Sequence, residues 1–197
     1  CERFGAWLLL DDAHGFGVLG PGGAGTLAHF GLQSERVLYM GTLGKAAGVS
    51  GAFVAGPAVA IDWLMQRART YVFTTATPPM VAAAVRASLA VMRDEPWRRE
   101  RLREHAAALR ARLQALPWAL PATPSAIQPV MIGGNAEAMA AMDALWQRGF
   151  WVPAIRPPTV AEGTARLRIS FSAAHTAEQV HALADALLAV ATDGAAA

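Results

Sequence analysis

The chain has 197 residues, of which 54% are hydrophobic and 16% charged, a composition that suits a globular protein with a buried core and excludes a disordered chain. Its formal net charge is only +2, and its arginines are scattered apart from the stretch 98–112, so we expect no nucleic-acid partner. No apolar run is long enough to span a membrane, and the single cysteine, Cys1, excludes an internal disulfide framework and a Cys-based zinc site, so we expect a cytoplasmic protein that does not associate with membranes.

Two apolar runs near the start of the chain predict neighbouring parallel strands. Residues 7–10 end at two aspartates and residues 37–40 end at a glycine, and such continuous apolar runs are typical of strands buried on both faces. About 26 residues separate them, enough for a right-handed crossover with a helix over residues 24–30. A third run, residues 51–54, follows a short glycine-rich loop, which favours an antiparallel return.

The pattern in the middle of the chain predicts two helices and a short strand, with prolines at the start and after the end of the second helix. Residues 61–69 form a predicted helix and residues 71–73 a short strand. The segment Thr77-Pro78-Pro79 then opens a long alanine-rich helix that runs to about Asp94. A Glu-Pro dipeptide then ends the helical pattern, because proline disfavours helical geometry in the residue before it. We therefore expect a first domain over residues 1–94 and a second over 95–197.

The second domain has the pattern of a small α+β domain. Its first helix, residues 97–116, places leucines on one face at helical spacing and leads into a proline-rich loop. Thr176 and Gln179 form a predicted capping box for the last helix. The remaining predicted elements are a strand at 127–132, a helix at 136–148, strands at 150–152 and 167–171, and a helix at 176–191.

Lys45 is the only lysine in a chain with sixteen arginines, and it lies in a loop of small residues just after the second predicted strand. A guanidinium cannot lose its proton in a protein, whereas a lysine amine can lose one and attack a carbonyl. Because the first two strands are predicted to be parallel, Asp11 and Lys45 should leave the same edge of the sheet and reach opposite sides of one small planar ligand. The lysine therefore indicates amine chemistry.

The loop after the first strand admits two interpretations. Gly15, Gly17 and Gly20 form a literal G-x-G-x-x-G, the pattern of a dinucleotide-binding turn, but four residues, two of them acidic, separate it from the strand. Alternatively, Asp11 and His14 suit a pyridine ring, since a carboxylate favours a protonated ring nitrogen and a histidine can hydrogen-bond a phenolic oxygen. That environment is typical of pyridoxal phosphate.

The chain resembles the α-oxoamine synthases, pyridoxal-phosphate enzymes with the aspartate-aminotransferase fold, in the segments 11–15 (DDAHG), 42–45 (TLGK) and 73–79 (FTTATPP). The later segments 154–160 (AIRPPTV) and 163–168 (GTARLR) indicate the branch that condenses L-alanine with a pimeloyl thioester in biotin synthesis. The resemblance implies an α/β fold: the C-terminal part of a large domain with a mostly parallel sheet, plus a small α+β C-terminal domain. Because family members carry about as much chain again before this point, we expect an incomplete fragment that neither binds the cofactor well nor turns over alone.

The resemblance also implies roles for four residues of the first domain. Lys45 bonds to the aldehyde of pyridoxal 5'-phosphate and later acts as the catalytic base. Asp11 pairs with the protonated ring nitrogen, and His14 contacts the phenolic oxygen. Thr42 contacts the cofactor phosphate.

The resemblance implies roles for three further residues. Thr74 and Thr75 would reach the phosphate of the neighbouring subunit's cofactor, which requires a homodimer. Arg168 would bind the carboxylate of the amino-acid substrate through its two-pronged guanidinium, and Arg166 is the weaker candidate for this task. Two alternatives stay open: another α-oxoamine synthase, of the glycine C-acetyltransferase or 5-aminolevulinate synthase type, or a non-catalytic nucleotide-binding module.

Overall fold

A computed structural model of the chain describes residues 1–195, which form two compact units. The first unit spans Cys1–Arg99 and the second begins at Glu100. Each unit has a three-stranded sheet of its own. The boundary falls within helix α5 (Trp97–Arg112). No helix in residues 1–195 is both long enough and apolar enough to cross a bilayer.

The sheet of the first unit contains the parallel pair that the sequence predicts. Strand β1 pairs with β2 in parallel, with Asp11 opposite Met40. Strand β3 returns antiparallel to β2, with Ala52 opposite Thr42, as expected for a loop too short to cross over. The strand order is β1-β2-β3. The three strands are β1 (Leu8–Asp11), β2 (Val37–Thr42) and β3 (Ala52–Ala55).

The crossover between β1 and β2 is mostly irregular. The helix predicted over residues 24–30 is a single turn, α1 (Thr26–His29), preceded by a 3₁₀ turn at Pro21–Gly23. Six of the eleven residues from Gly15 to Gly25 are glycines, and each one lowers the helical propensity of the segment. The crossover is therefore a long loop that leads into a short helix.

Three helices follow β3 in the first unit. The strand predicted at residues 71–73 is wrong, because Arg69–Val72 form helix α3 and the Phe73 N–H donates to the Arg69 carbonyl. The β-branched and aromatic residues Tyr-Val-Phe favour a strand, but a strand needs a neighbouring strand to pair with. Here the backbone N–H and C=O groups of the run form local helical hydrogen bonds instead. The prediction for residues 79–94 is confirmed. The helices are α2 (Ala58–Arg67), α3 (Arg69–Val72) and α4 (Pro79–Asp94).

The second unit is an antiparallel sheet covered by helices. Its strand order is β4-β6-β5, with both pairs antiparallel. The strand predicted at 150–152 is wrong, because pairing with β6 begins only after Pro153, whose carbonyl accepts the Arg168 N–H. The regular elements after α5 are β4 (Ile127–Gly133), α6 (Asn135–Gln147), β5 (Ala154–Ile155), β6 (Ala165–Ser170) and α7 (Ala177–Ala195).

The end of helix α5 and the start of helix α7 have local structural signals. The helix predicted over 97–116 is α-helical to Arg112 and then tightens into a 3₁₀ turn at Leu113–Ala115, a common way for a helix to end. The capping box before α7 is confirmed. The Thr176 N–H donates to Gln179 Oε1 at 2.9 Å, and the Gln179 N–H donates to Thr176 Oγ1 at 3.3 Å.

The two units differ in how much apolar surface they bury. The second unit has a continuous core in which Leu109, Leu145 and Leu187 are fully buried. In the first unit, the buried hydrophobic residues are only Ala13, Val37 and Ala47, and nearly all exposed large apolar side chains of residues 1–195 belong to it. The second unit can therefore be stabilised by its own core, whereas the first leaves both its helices and its sheet largely uncovered.

We expect Leu145→Ala to lower the free energy of unfolding of the second unit by about 2–5 kcal/mol, because it removes a fully buried side chain and leaves a cavity. Gln147→Ala removes a comparable number of atoms from an exposed position on the same helix, and it should cost less than about 0.5 kcal/mol. Urea unfolding followed by circular dichroism measures both. Equal losses from the two substitutions would contradict this core.

Candidate active site

Asp11 and Lys45 leave the same edge of the first unit's sheet. Asp11 is the last residue of β1 and lies opposite Met40 in the parallel register, so β2 runs past it to Thr42, and Lys45 follows three residues later. Neighbouring strands are about 4.8 Å apart, which places the two groups above adjoining strand ends. Both side chains are exposed. One oxygen of Asp11 accepts the Ala13 N–H at 3.0 Å, and the other is left to accept a bond from a ligand.

The backbone of the Lys45 loop, residues 43–51, is fixed at its base. The Leu43 N–H donates to the Gly51 carbonyl and the Val49 N–H to the Leu43 carbonyl, both at 2.8 Å. The Gly48 N–H then closes a turn onto the Lys45 carbonyl at 2.9 Å. Within residues 1–195 the Lys45 amine forms no ion pair. A rigid loop therefore presents a free amine.

The tip of the Lys45 loop is also anchored to helix α4. Ala47 is 5% exposed, and its carbonyl accepts a 2.5 Å bond from the Ser88 hydroxyl. The segment after β1 packs on the same loop: a Cβ at Gly17 would lie 2.6 Å from the Ala46 Cβ and 2.6 Å from the Met92 Cε. Gly17 is thus required for close packing between the two loops and α4.

The dinucleotide interpretation of the G-x-G-x-x-G segment is not supported by the local structure. In that fingerprint a helix begins within the motif and offers its N-terminus to a pyrophosphate. Here residues 13–20 form turns, a 3₁₀ turn follows at Pro21–Gly23, and the first helix is the single turn α1. The glycines allow a compact loop rather than an approach to phosphates.

His14 and Thr42 lie beside Asp11 on this edge. The Asp12 carbonyl accepts the N–H groups of Gly15 and Phe16, and the resulting turn carries the exposed His14 side chain. The Thr42 hydroxyl donates a weak 3.4 Å bond to the Ala13 carbonyl. The structure thus brings four of the predicted site residues to one edge: Asp11, His14, Thr42 and Lys45.

Sequence reasoning missed Asp12, the buried acid of the Asp-Asp pair. Asp12 is 4% exposed, and its carboxylate accepts bonds from the Tyr39 hydroxyl at 2.6 Å, the Thr26 N–H at 2.7 Å and the Thr26 hydroxyl at 2.5 Å. Burial raises the pKa of Tyr39 well above its ordinary value, and the bond to Asp12 and the charge of Asp12 raise it further. The only sequence signal was the second acid itself, which immediately follows the last residue of β1.

Thr74 and Thr75 lie in the irregular segment between α3 and α4, outside the strand ends and loops that carry Asp11 and Lys45. Both are exposed, and the segment is flanked by two strongly exposed apolar residues, Phe73 at 79% and Met80 at 76%. Neither threonine hydroxyl has a hydrogen bond within residues 1–195. The structure therefore does not join them to Lys45 within this chain.

Arg168 belongs to the second unit, on the face of β6 away from its core. Alternate residues of this strand are buried, and Arg168 is exposed beside an open cavity of about 580 Å³ whose other walls include Trp151 and Phe171. Its guanidinium has no ion pair within the described chain. Arg166, two residues earlier, is tied to the Thr164 carbonyl by a 2.9 Å bond from its Nε. Of the two arginines, Arg168 is the one free to bind a ligand.

Comparison with known proteins identifies relatives for almost the whole chain. The 8-amino-7-oxononanoate synthase of Aromatoleum aromaticum is 60% identical over 94% of this chain and 48% of that protein. A structure of serine palmitoyltransferase with a PLP internal aldimine is 32% identical, with a TM-score of 0.88 over 98% of this chain and 49% of that one. The 8-amino-7-oxononanoate synthase of Francisella tularensis is 28% identical, with a TM-score of 0.84 over 95% and 56%.

The chain spans about half the length of the curated relatives it matches. Its fold is that of the corresponding half of these enzymes, with α/β architecture and two units that each contain a sheet. Residues 1–187 match the family described as aminotransferase class I and II. The match covers both units, so the chain belongs to the aminotransferase class I and II family.

Proposed function

We propose that this chain is the C-terminal half of a pyridoxal-phosphate enzyme that condenses L-alanine with a pimeloyl thioester, on CoA or acyl carrier protein, to form 8-amino-7-oxononanoate for biotin synthesis. The observation that carries the proposal is the placement of the Asp11 carboxylate and the Lys45 amine above adjoining parallel strand ends. Identity of 54–60% over nearly the whole chain to curated bacterial enzymes that form this product supports this acyl substrate. A single exposed cysteine is compatible with the cytoplasmic location that we propose.

The donor set at the sheet edge fits pyridoxal phosphate. Asp11 has an uncommitted carboxylate oxygen, which suits a protonated ring nitrogen. Lys45 offers an exposed amine without an ionic partner, which suits the aldehyde. When bound, this cofactor acts as an electron sink for charge that develops at the amino-acid Cα. His14 would contact the phenolic oxygen, and Thr42 would contact the phosphate.

Each residue then has a defined task in the proposed reaction. Lys45 would hold the cofactor and, as a free amine, would take the proton from the Cα of alanine. Asp11 keeps the ring nitrogen protonated throughout. Arg168 binds the alanine carboxylate through paired N–H groups, which fixes the Cα–H bond for proton removal.

We propose that the first unit is part of a larger cofactor-binding domain, and that the second is the small C-terminal domain. The uncovered apolar surface of the first unit supports this, because a stable domain buries such surface. This apolar surface could be buried against the other half of a chain as long as the relatives, or against a second subunit. Thr74 and Thr75, between the exposed Phe73 and Met80, would then contact the cofactor phosphate of the other subunit in a homodimer.

The proposal can be tested by supplying the N-terminal half of the Aromatoleum relative as a separate chain. The reassembled protein should form 8-amino-7-oxononanoate from L-alanine and pimeloyl-CoA, and it should use acetyl-, succinyl- and palmitoyl-CoA at least about tenfold less efficiently, because the acyl chain contributes binding energy. Borohydride reduction should add one cofactor to this chain at the peptide containing Lys45, its only lysine. Product analysis and peptide mass spectrometry are the measurements.

Lys45→Arg is the matched control, since it keeps the positive charge but lacks a nucleophilic amine. It should abolish both the reduced adduct and product formation. A labelled Lys45→Arg chain, or a reassembled wild-type protein that prefers another acyl thioester, would refute the corresponding part of the proposal.

Arg168→Ala in the reassembled protein should raise KM for L-alanine by about 10- to 100-fold, because it removes a charge-assisted carboxylate contact. Arg166→Ala removes an arginine from the same strand that is already bound to Thr164, so its KM should stay within about twofold of wild type. Steady-state kinetics with varied L-alanine distinguishes them. Equal effects would show that general positive charge, not a specific clamp, matters on this strand.

The shared-site arrangement can be tested by mixing two inactive variants. Lys45→Ala inactivates its own site, whereas Thr74→Val with Thr75→Val should weaken the site of the other subunit. Random reassociation of equal amounts should restore roughly a quarter of wild-type activity, because half of the dimers then carry one intact site. Gel filtration verifies the dimer. Absence of complementation in mixed dimers would place the threonines in their own subunit's site or outside any site.

A further inference from the structure

Asp12 is a buried acid whose hydrogen-bond donors in the described chain are neutral groups. Its residue is 4% exposed, yet none of the ion pairs within residues 1–195 involves it. A buried carboxylate without such compensation is costly, so its donors have to be close and well oriented. Asp12 has three, two from Thr26 and one from Tyr39, all between 2.5 and 2.7 Å. Bonds this short are typical of an ionised acceptor.

The donors to Asp12 come from separate parts of the first unit. Thr26 starts helix α1 and closes the long loop after β1, and Tyr39 lies in β2, three residues before Thr42. The Asp12 N–H also donates to the Met40 carbonyl at 2.8 Å. One residue therefore joins the end of β1, the loop that carries the exposed His14, and the strand that leads to the Lys45 loop.

The backbone at Gly25 packs closely against the Asp12 carboxylate and the Tyr39 hydroxyl. Gly25 has a φ of +98°, which favours glycine, and a Cβ there would overlap the Asp12 carboxylate and the Tyr39 hydroxyl. The raised pKa of Tyr39, caused first by burial and then by Asp12, keeps its hydroxyl protonated and able to donate. The arrangement is thus fixed by packing as well as by hydrogen bonds.

We propose that Asp12 is a positioning residue: with Tyr39 and Thr26, it fixes the loop after β1 and the Lys45 loop in register, so that Asp11, His14 and Lys45 face one ligand. The loops are in direct contact through Gly17 and Ala46, which provides the path from Asp12 to the amine. The inference rests on the proposed function for the identity of that ligand. The link between the two loops depends only on the hydrogen bonds of Asp12 and on the packing of Gly17 against Ala46.

The link is tested first without cofactor, by amide hydrogen exchange on the 197-residue chain. Asp12→Asn should speed exchange at least about tenfold at the Thr26 N–H and also at the Gly48 and Val49 N–H groups of the Lys45 loop, because local opening exposes both loops. Asp62→Asn, at an exposed acid on α2, should change neither. Faster exchange at Thr26 with an unchanged Lys45 loop would overturn the link.

Tyr39 and Thr26 provide milder substitutions that keep the test decisive if Asp12→Asn fails to fold. Tyr39→Phe and Thr26→Val should each reproduce the change in both loops, whereas Thr26→Ser, which retains both donors, should behave as wild type. Tyr71→Phe, at the other, exposed tyrosine, is the control for removal of a hydroxyl group. Wild-type exchange in both Tyr39→Phe and Thr26→Val would refute the proposal.

The positioning role is then measured in the protein reassembled with the N-terminal half of the Aromatoleum relative. Asp12→Asn should lower kcat about 10- to 100-fold, with KM for L-alanine within about threefold of wild type, because alignment rather than substrate binding is lost. The visible absorbance band of the bound cofactor should also shift. A loss of thermal stability with unchanged kcat and spectrum would make Asp12 purely structural. If the wild-type assembly binds no cofactor, the proposed function fails, and the exchange data alone decide whether Asp12 couples the loops.

Discussion

The parallel pairing of β1 with β2 is the constraint on which the candidate site depends. Parallel strands end at the same edge of a sheet, so a carboxylate at the end of one and an amine just beyond the other must lie on the same side of the unit. An antiparallel pair would have separated Asp11 and Lys45 by the length of the strands. The hairpin from β2 to β3 then returns the chain immediately, which keeps the Lys45 loop short and well anchored.

The two adjacent acids at the end of β1 have different surroundings and different tasks. Asp11 is the last residue of the strand, and Asp12 is the first residue after it. Asp11 is exposed at the edge with an oxygen to spare, whereas Asp12 is buried and fully occupied by Thr26 and Tyr39. One acid is therefore available to a ligand, and the other holds the structure that presents it.

The unequal burial of the two units is relevant to how the protein works. The second unit has a continuous core and presents Arg168 from the outer face of a well-packed strand. The first unit carries the sheet edge with Lys45 but buries few of its large apolar side chains. Since apolar burial is the main source of stability, the proposed cofactor site lies on the unit with the smaller core of its own.

The sequence by itself determined those features that are encoded locally. The parallel strands follow from two apolar runs and the spacing between them, helix α4 from its starting prolines, and the α7 cap from Thr176 and Gln179. The family motifs that contain Asp11, His14, Thr42 and Lys45 also predicted that these residues lie at one edge of the sheet. Only the tertiary structure decided that residues 69–72 are helical, that pairing with β6 begins after Pro153, and that Asp12 has a positioning geometry. These outcomes depend on partners distant in the chain, because a strand requires another strand and a buried carboxylate requires donors that local sequence patterns do not specify.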